Sequence, residues 1–185
     1  MTIDRFAEAL RGGMLSLPQD LKAMLRITDD GDLDDKSRVL ACGAILHVLS
    51  GANAIPGVKG VLGFADDVIV LRLVIDRIAK TSPELIASHR AEDPDVFGPM
   101  AEQTQAIRDH LAELTPVLDK VVDGLPRLSF EGHTAEECAR EQEAQTWLYD
   151  SVHEAIVERL ELPEDVVARG VKGAGEIRGH LKQRV

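Results

Sequence analysis

Apolar residues recur along this chain at spacings of three and four rather than two, so nearly every segment reads as helix. A short helix is predicted over Ile3–Leu10, stopped by Gly12-Gly13. A second is predicted over Pro18–Ile27, with Pro18 at the first helical position, where its missing N–H costs little. An acidic turn, Asp29 to Asp35, follows. The stretch Asp34–Leu49 is apolar almost all round after Arg38, the pattern of a buried helix. Phe64–Lys80 places Phe64, Val68, Leu71, Ile75 and Ile78 on one stripe, and Ser82-Pro83-Glu84 restarts a helix that fades near Glu92-Asp93-Pro94.

From Phe97 the pattern becomes a heptad seam: Phe97, Met100, Thr104, Ile107, Leu111, Leu114, Leu118, Val121 and Leu125. Pro116 should kink or split that helix, with Thr115 capping the second piece. The seam suits an antiparallel partner helix within the domain better than a homodimer, because a kink spoils a long coiled coil. Gly124–Gly132 reads as a loop around Pro126. Thr134-Ala135-Glu136-Glu137 is a capping box that opens a helix running to about Leu160, where Leu162-Pro163-Glu164 breaks it. A last short helix gives way to a segment containing Gly170, Gly173, Gly175 and Gly179, which weaken helix formation. No strand pattern is visible.

The expected fold is therefore all-α: a single helical-bundle domain over residues 1–168 with a central apolar helical hairpin. A basic, Gly-rich C-terminal tail, residues 169–185, follows it. At 185 residues the chain can bury a core without disulfides or metals. Aromatics are 3% of the chain, so that core must be aliphatic.

Charge narrows the function classes. A net charge of −11 argues against nucleic acid and for a soluble protein with a basic protein partner or a bound cation. The tail runs against this, with Arg169, Lys172, Arg178, Lys182 and Arg184 facing Glu176 alone. It is expected to be solvated; docking on its own body, a partner or anionic lipid are the alternatives. The two cysteines, Cys42 and Cys138, form no disulfide framework, and the N-terminus shows no apolar signal segment. No apolar run approaches a membrane span, and a cytoplasmic location is the expectation.

The most specific stretch runs from Ser50 to Asp67, S-G-A-N-A-I-P-G-V-K-G-V-L-G-F-A-D-D. Ile55-Pro56, then Leu62-Gly63-Phe64-Ala65-Asp66-Asp67, followed by an apolar helix, resembles the signature of the YkvA-like family, a domain of unknown function. With its flanking helices the resemblance covers about residues 35–80. The family has proline where this chain has Gly51 and Gly60, and aspartate where it has Asn53 and Gly57. The resemblance implies a signature loop of Asn53, Ile55, Pro56, Gly63, Phe64, Asp66 and Asp67, with two carboxylates fewer than the family pattern.

Each candidate site has a structural alternative. Asp66-Asp67 could bind a cation or a partner's arginine; as first-turn acids they could instead complement the helix dipole and accept loop N–H groups, with Arg72 and Lys59 as neutralising cations. Asp30, Asp32 and Asp34 alternate as in a calcium loop, but Asp35 and Ala41 stand where an EF-hand needs glycine and glutamate, so a helix cap at Asp34 or Asp35 is expected. Asp150-x-x-His153 is half of a bundle di-metal motif, without its second half. His47 reads as a core or loop-facing histidine. Gly57-Val58-Lys59-Gly60 recurs as Gly170-Val171-Lys172-Gly173, though neither follows a strand.

The leading expectation is a non-enzymatic helical interaction or scaffold module, without cofactor, that meets a protein partner or itself. The rival is a metal-dependent enzyme using Asp66, Asp67 and His47. A third reading is peripheral membrane attachment through the tail and the hairpin.

Overall fold

The computed structural model describes residues 2–185 and is an all-α bundle. Helix α1 spans Thr2–Asp29, α2 Asp35–Ser50 and α3 Ala65–Thr81, the last entered through a 3₁₀ turn over Gly60–Phe64. Helices α4 (Pro83–Glu92) and α5 (Pro94–Phe97) lead to α6 (Met100–Leu111) and α7 (Thr115–Gly124).

The central element is α2. Every side chain from Leu40 to Leu49 is buried, as its all-round apolar pattern predicted. Asp34 caps it: its carboxylate accepts the Ser37 N–H at 2.9 Å. At the other end Gly51 adopts the left-handed conformation of a helix C-cap. Arg38 reaches back from α2 and donates to the carbonyls of Thr28, Asp30 and Leu33, closing the end of α1 and the acidic turn.

Several expected boundaries are corrected. Gly12-Gly13 does not end a helix, nor does Pro18 begin one; α1 runs unbroken through all three. Its face of Phe6, Leu10, Met14, Leu17, Leu21 and Met24 is wholly buried, and that packing outweighs roughly 1 kcal/mol per glycine and roughly 3 for a mid-helix proline. Gly13 serves close approach: a Cβ there would lie 2.3 Å from Val68 Cγ1.

The heptad seam is buried within the domain, and α6 runs antiparallel to α1: Arg5 meets Asp109 at 3.6 Å, while Gly12 lies against Gln103. The seam breaks at Ala112, before Pro116, with φ 46° and ψ −115°. Thr115 does not cap; its hydroxyl is buried without a hydrogen-bond partner, and Pro116 opens α7 from its first turn.

Gly124–Gly132 is not a plain loop. Ser129–Phe130 (β1) and His133–Thr134 (β2) form a two-residue antiparallel ladder. Its turn residues, Glu131 and Gly132, both have positive φ, as a type I′ hairpin requires. The capping box at Thr134 and Glu137 forms as expected. Its helix, however, is split at the extended Glu141 into α8 (Ala135–Arg140) and α9 (Gln142–Ala155), with a π turn over Ile156–Leu160. The turn between them lets the small residues Ala135, Cys138 and Ala139 lie against α2 while α9 follows its own apolar stripe.

The tail is also corrected. After α10 (Glu164–Gly170), a 3₁₀ segment over Val171–Glu176 and α11 (Ile177–Lys182) bury Val171, Ala174, Ile177 and Leu181 against the body. Its glycines permit contact rather than disorder: a Cβ on Gly170 would sit 1.9 Å from Val61 Cγ1.

The bundle is tied by a buried ion pair. Arg72 of α3 is 1% exposed and donates to Asp20 Oδ2 of α1 at 2.8 Å, while its Nε donates to Gln103 of α6 at 2.6 Å. Ser16 Oγ also donates to Asp20 Oδ2, at 3.0 Å.

Two stability predictions follow from this packing. Asp20→Ala should cost about 3–5 kcal/mol in urea unfolding, because it leaves a buried guanidinium unpaired, and Asp20→Ala/Arg72→Met should recover much of that loss. A single-variant cost below about 1 kcal/mol would show that the pair does not tie the helices. Gly43 of α2 meets the Leu125 carbonyl, where a Cβ would lie 2.2 Å from the oxygen. Gly43→Ala should therefore lose about 1–3 kcal/mol by overpacking. Gly31→Ala, in open space, should leave the melting temperature unchanged.

Candidate functional site

The signature loop closes over one buried cluster. Asn53 Oδ1 accepts the Ile55 N–H at 2.8 Å, a local turn that pins the chain ahead of Pro56. Ile55 is buried and Pro56 exposed, while Gly63 and Phe64 are half-buried. That turn delivers the Ala54 N–H to Asp66 Oδ2 at 2.9 Å, so the expected loop-fixing role of Asp66 is present. The same oxygen lies 3.0 Å from His47 Nε2 on α2. His47 thus faces the aspartates rather than the loop backbone. His47, Asp66 and Asp67 are 4%, 1% and 4% exposed.

Asp67 is different. Its Oδ1 is 3.8 Å from His47 Nε2, beyond hydrogen-bond reach, and accepts no hydrogen bond. Burial pushes its carboxyl well above the usual carboxylate range, Asp66 beside it adds to the shift, and Arg159 offsets it in part. Arg159 itself donates to the Val48 and Leu49 carbonyls at 2.8 and 3.0 Å, capping α2.

The expected neutralising cations are elsewhere. Arg72 is turned to Asp20, and Lys59 is exposed. Asp20 and Arg159 were not anticipated as partners; Asp20 sits in a run that reads as an ordinary polar helix face, and nothing in its spacing announces Arg72.

The other candidates do not converge. Asp30 accepts the Asp32 N–H at 2.9 Å and meets His89 Nε2 at 2.9 Å, while Asp34 caps α2. These aspartates are turn-formers, not a calcium loop. His153 Nδ1 lies 2.8 Å from the Tyr149 carbonyl, and its ring packs on Tyr149 with centroids 4.3 Å apart. Among the described residues, His47, Asp66 and Asp67 are the one group of three such side chains whose donor atoms all lie within 4.8 Å of one another.

The two G-V-K-G segments, 113 residues apart in sequence, line a single groove of about 330 Å³ with His180 and Glu176. Here Gly57, at φ 93°, admits the His180 ring, which a Cβ would meet at 2.7 Å. The tail's cations dock on the body: Arg178 donates to the carbonyls of His110 and Leu111 and pairs with Glu113 at 2.6 Å, and Arg184 donates to the Ala54 carbonyl.

With that geometry in view, residues 37–73 match the model of a family described as a protein of unknown function, DUF1232. The match covers about a fifth of the chain, from the first turn of α2 to the middle of α3, and contains the whole cluster. No curated protein and no solved structure gives a significant match. No helix among the described residues is long and apolar enough to cross a membrane.

Both cysteines are buried and free. Burial, with Cys138 nearby, pushes the Cys42 thiol up to about 12, and burial with Glu137 pushes Cys138 to about 11. Neither should react with a thiol reagent at neutral pH in the folded protein, and both should react in denaturant. Rapid labelling of either in the native state would contradict this packing.

Proposed function

We propose that this chain is a non-enzymatic, YkvA-like helical interaction module that takes a basic segment of a partner protein. The observation that carries the reading is an acidic groove beside α9. It has a volume of about 210 Å³ and is lined by Leu49, Phe130, Glu131, Glu154, Glu158 and Arg159, among others. Among the described residues, none of these three glutamates is ion-paired, and the neighbouring cation, Arg159, is spent on the end of α2. Uncommitted carboxylates around half-buried Phe130 suit a lysine or arginine carried on an apolar scaffold.

The burial of His47, Asp66 and Asp67 supports a non-enzymatic role, because a cluster this enclosed leaves an organic substrate no approach to its atoms. The docking of Arg178 and Arg184 on the body takes those two charges away from a lipid-binding tail.

The test is binding of a fluorescent arginine-rich helical peptide, followed by anisotropy. Glu154→Lys/Glu158→Lys should weaken binding about tenfold or more. Glu84→Lys/Glu92→Lys makes the same charge change at exposed positions on another helix and should have little effect. Equal losses in both variants would reduce the attraction to net charge and overturn the groove as the docking site.

A further inference from the structure

Asp67 is the least explained polar group in the matched segment. Its Oδ1 is buried, points at His47 and accepts no hydrogen bond. A buried carboxylate oxygen without a hydrogen bond loses its hydration uncompensated, so its place beside a second carboxylate needs a cause. The geometry points to one: we propose that His47 Nε2, Asp66 Oδ2 and Asp67 Oδ1 bind a single first-row divalent cation, Zn²⁺ foremost, that locks the junction of α2 and α3.

Donor spacing supports this. Such a cation holds nitrogen and carboxylate donors about 2.0–2.2 Å away, which leaves two donors of one ion roughly 3–4 Å apart. His47 Nε2 lies 3.0 Å from Asp66 Oδ2 and 3.8 Å from Asp67 Oδ1. The cation would take the place of the proton between His47 and Asp66 and give Asp67 Oδ1 its missing partner. Ala54 N–H already orients Asp66, as an outer-shell donor orients a metal-binding carboxylate. One imidazole with two carboxylates suits zinc or manganese; magnesium and calcium prefer six or more oxygens. Charge also favours a cation: two buried carboxyls sit side by side, and Arg159, the cation that acts on Asp67, has its guanidinium held by the carbonyls of Val48 and Leu49.

None of the three proposed ligands lines the acidic groove, and the two chemistries differ, so either proposal can fail without the other. The experiment uses the full chain, stripped with chelator, titrated with ZnCl₂ and in parallel with MgCl₂, and followed by calorimetry and thermal unfolding. One equivalent of Zn²⁺ should bind and raise the melting temperature by several degrees, with Mg²⁺ doing neither. Asp67→Asn keeps the side chain's shape and should weaken Zn²⁺ binding about 100-fold. It should also invert its effect on stability. In chelator it removes a buried carboxyl crowded against Asp66 and should melt no lower than wild type; in Zn²⁺ it should melt lower. His47→Gln should lose binding likewise, and if it does not fold, Asp67→Asn still decides. Absence of stoichiometric Zn²⁺ binding by wild type would overturn the site. So would stoichiometric binding that Asp67→Asn leaves intact. Equal destabilisation by Asp67→Asn with and without Zn²⁺ would show that Asp67 is partnered within the protein and would equally overturn it.

Discussion

A single guanidinium holds three helices of this bundle in register. Arg72, buried in α3, reaches Asp20 on α1 and Gln103 on α6. A charge with so little contact to water fits only where its partners are already in place, so α1, α3 and α6 must meet at one height. The close glycine contacts agree with that height. Gly13 admits Val68 one turn before Arg72, and Gly12 admits Gln103, whose side chain also receives Arg72. Aliphatic packing supplies the bulk of the burial, but leucine against valine slides; the ion pair does not. Asp20 Oδ1 and Arg72 Nη1 remain without hydrogen-bond partners, so the pair trades some stability for a defined arrangement.

The second polar centre works by the same logic at the N-terminal end of α3. Asp66 joins the loop at Ala54 to His47 of α2, and so fixes how the connection crosses between two buried helices. The two centres differ in closure. Asp20 is answered by a full positive charge, whereas Asp67 faces a carboxylate and a histidine, with Arg159 committed elsewhere. Each keeps one oxygen without a hydrogen bond, but Asp20 has a dedicated arginine and Asp67 has none.

Much of the architecture was legible in the sequence because it depends on local signals. The all-round apolar run of α2, the caps at Asp34 and Thr134, and the stripe of α3 each follow from residues within one or two turns. What escaped depends on distant contacts. Gly12-Gly13 reads as a stop and Pro18 as a start, yet one helix runs through all three because its apolar face packs on distant residues, with Val68 and Gln103 filling the room at the glycines. The split that Pro116 announces falls a turn earlier, at Ala112, where the chain takes a positive φ, whereas no nearby residue announces the bend at Glu141 that lets α8 lie against α2. Arg72 lies five and six residues beyond the aspartate pair in sequence, yet its partner, Asp20, is 52 residues away. The aspartates of the signature were recognised, but their convergence on His47 requires the hairpin itself.

The C-terminal segment shows how this dependence extends to the matched family core. Residues 37–73 do not close on themselves here: the Ala54 carbonyl is held by Arg184, Val61 packs into the space left by Gly170, and the carbonyls ending α2 are held by Arg159. All three supports lie more than 80 residues beyond the matched segment's end. The loop that carries Asp66 and Asp67 is therefore shaped as much by residues 159–184 as by its own glycines. In this chain those distant residues are what enclose the buried carboxyls of the matched segment and leave Asp67 Oδ1 without a hydrogen bond.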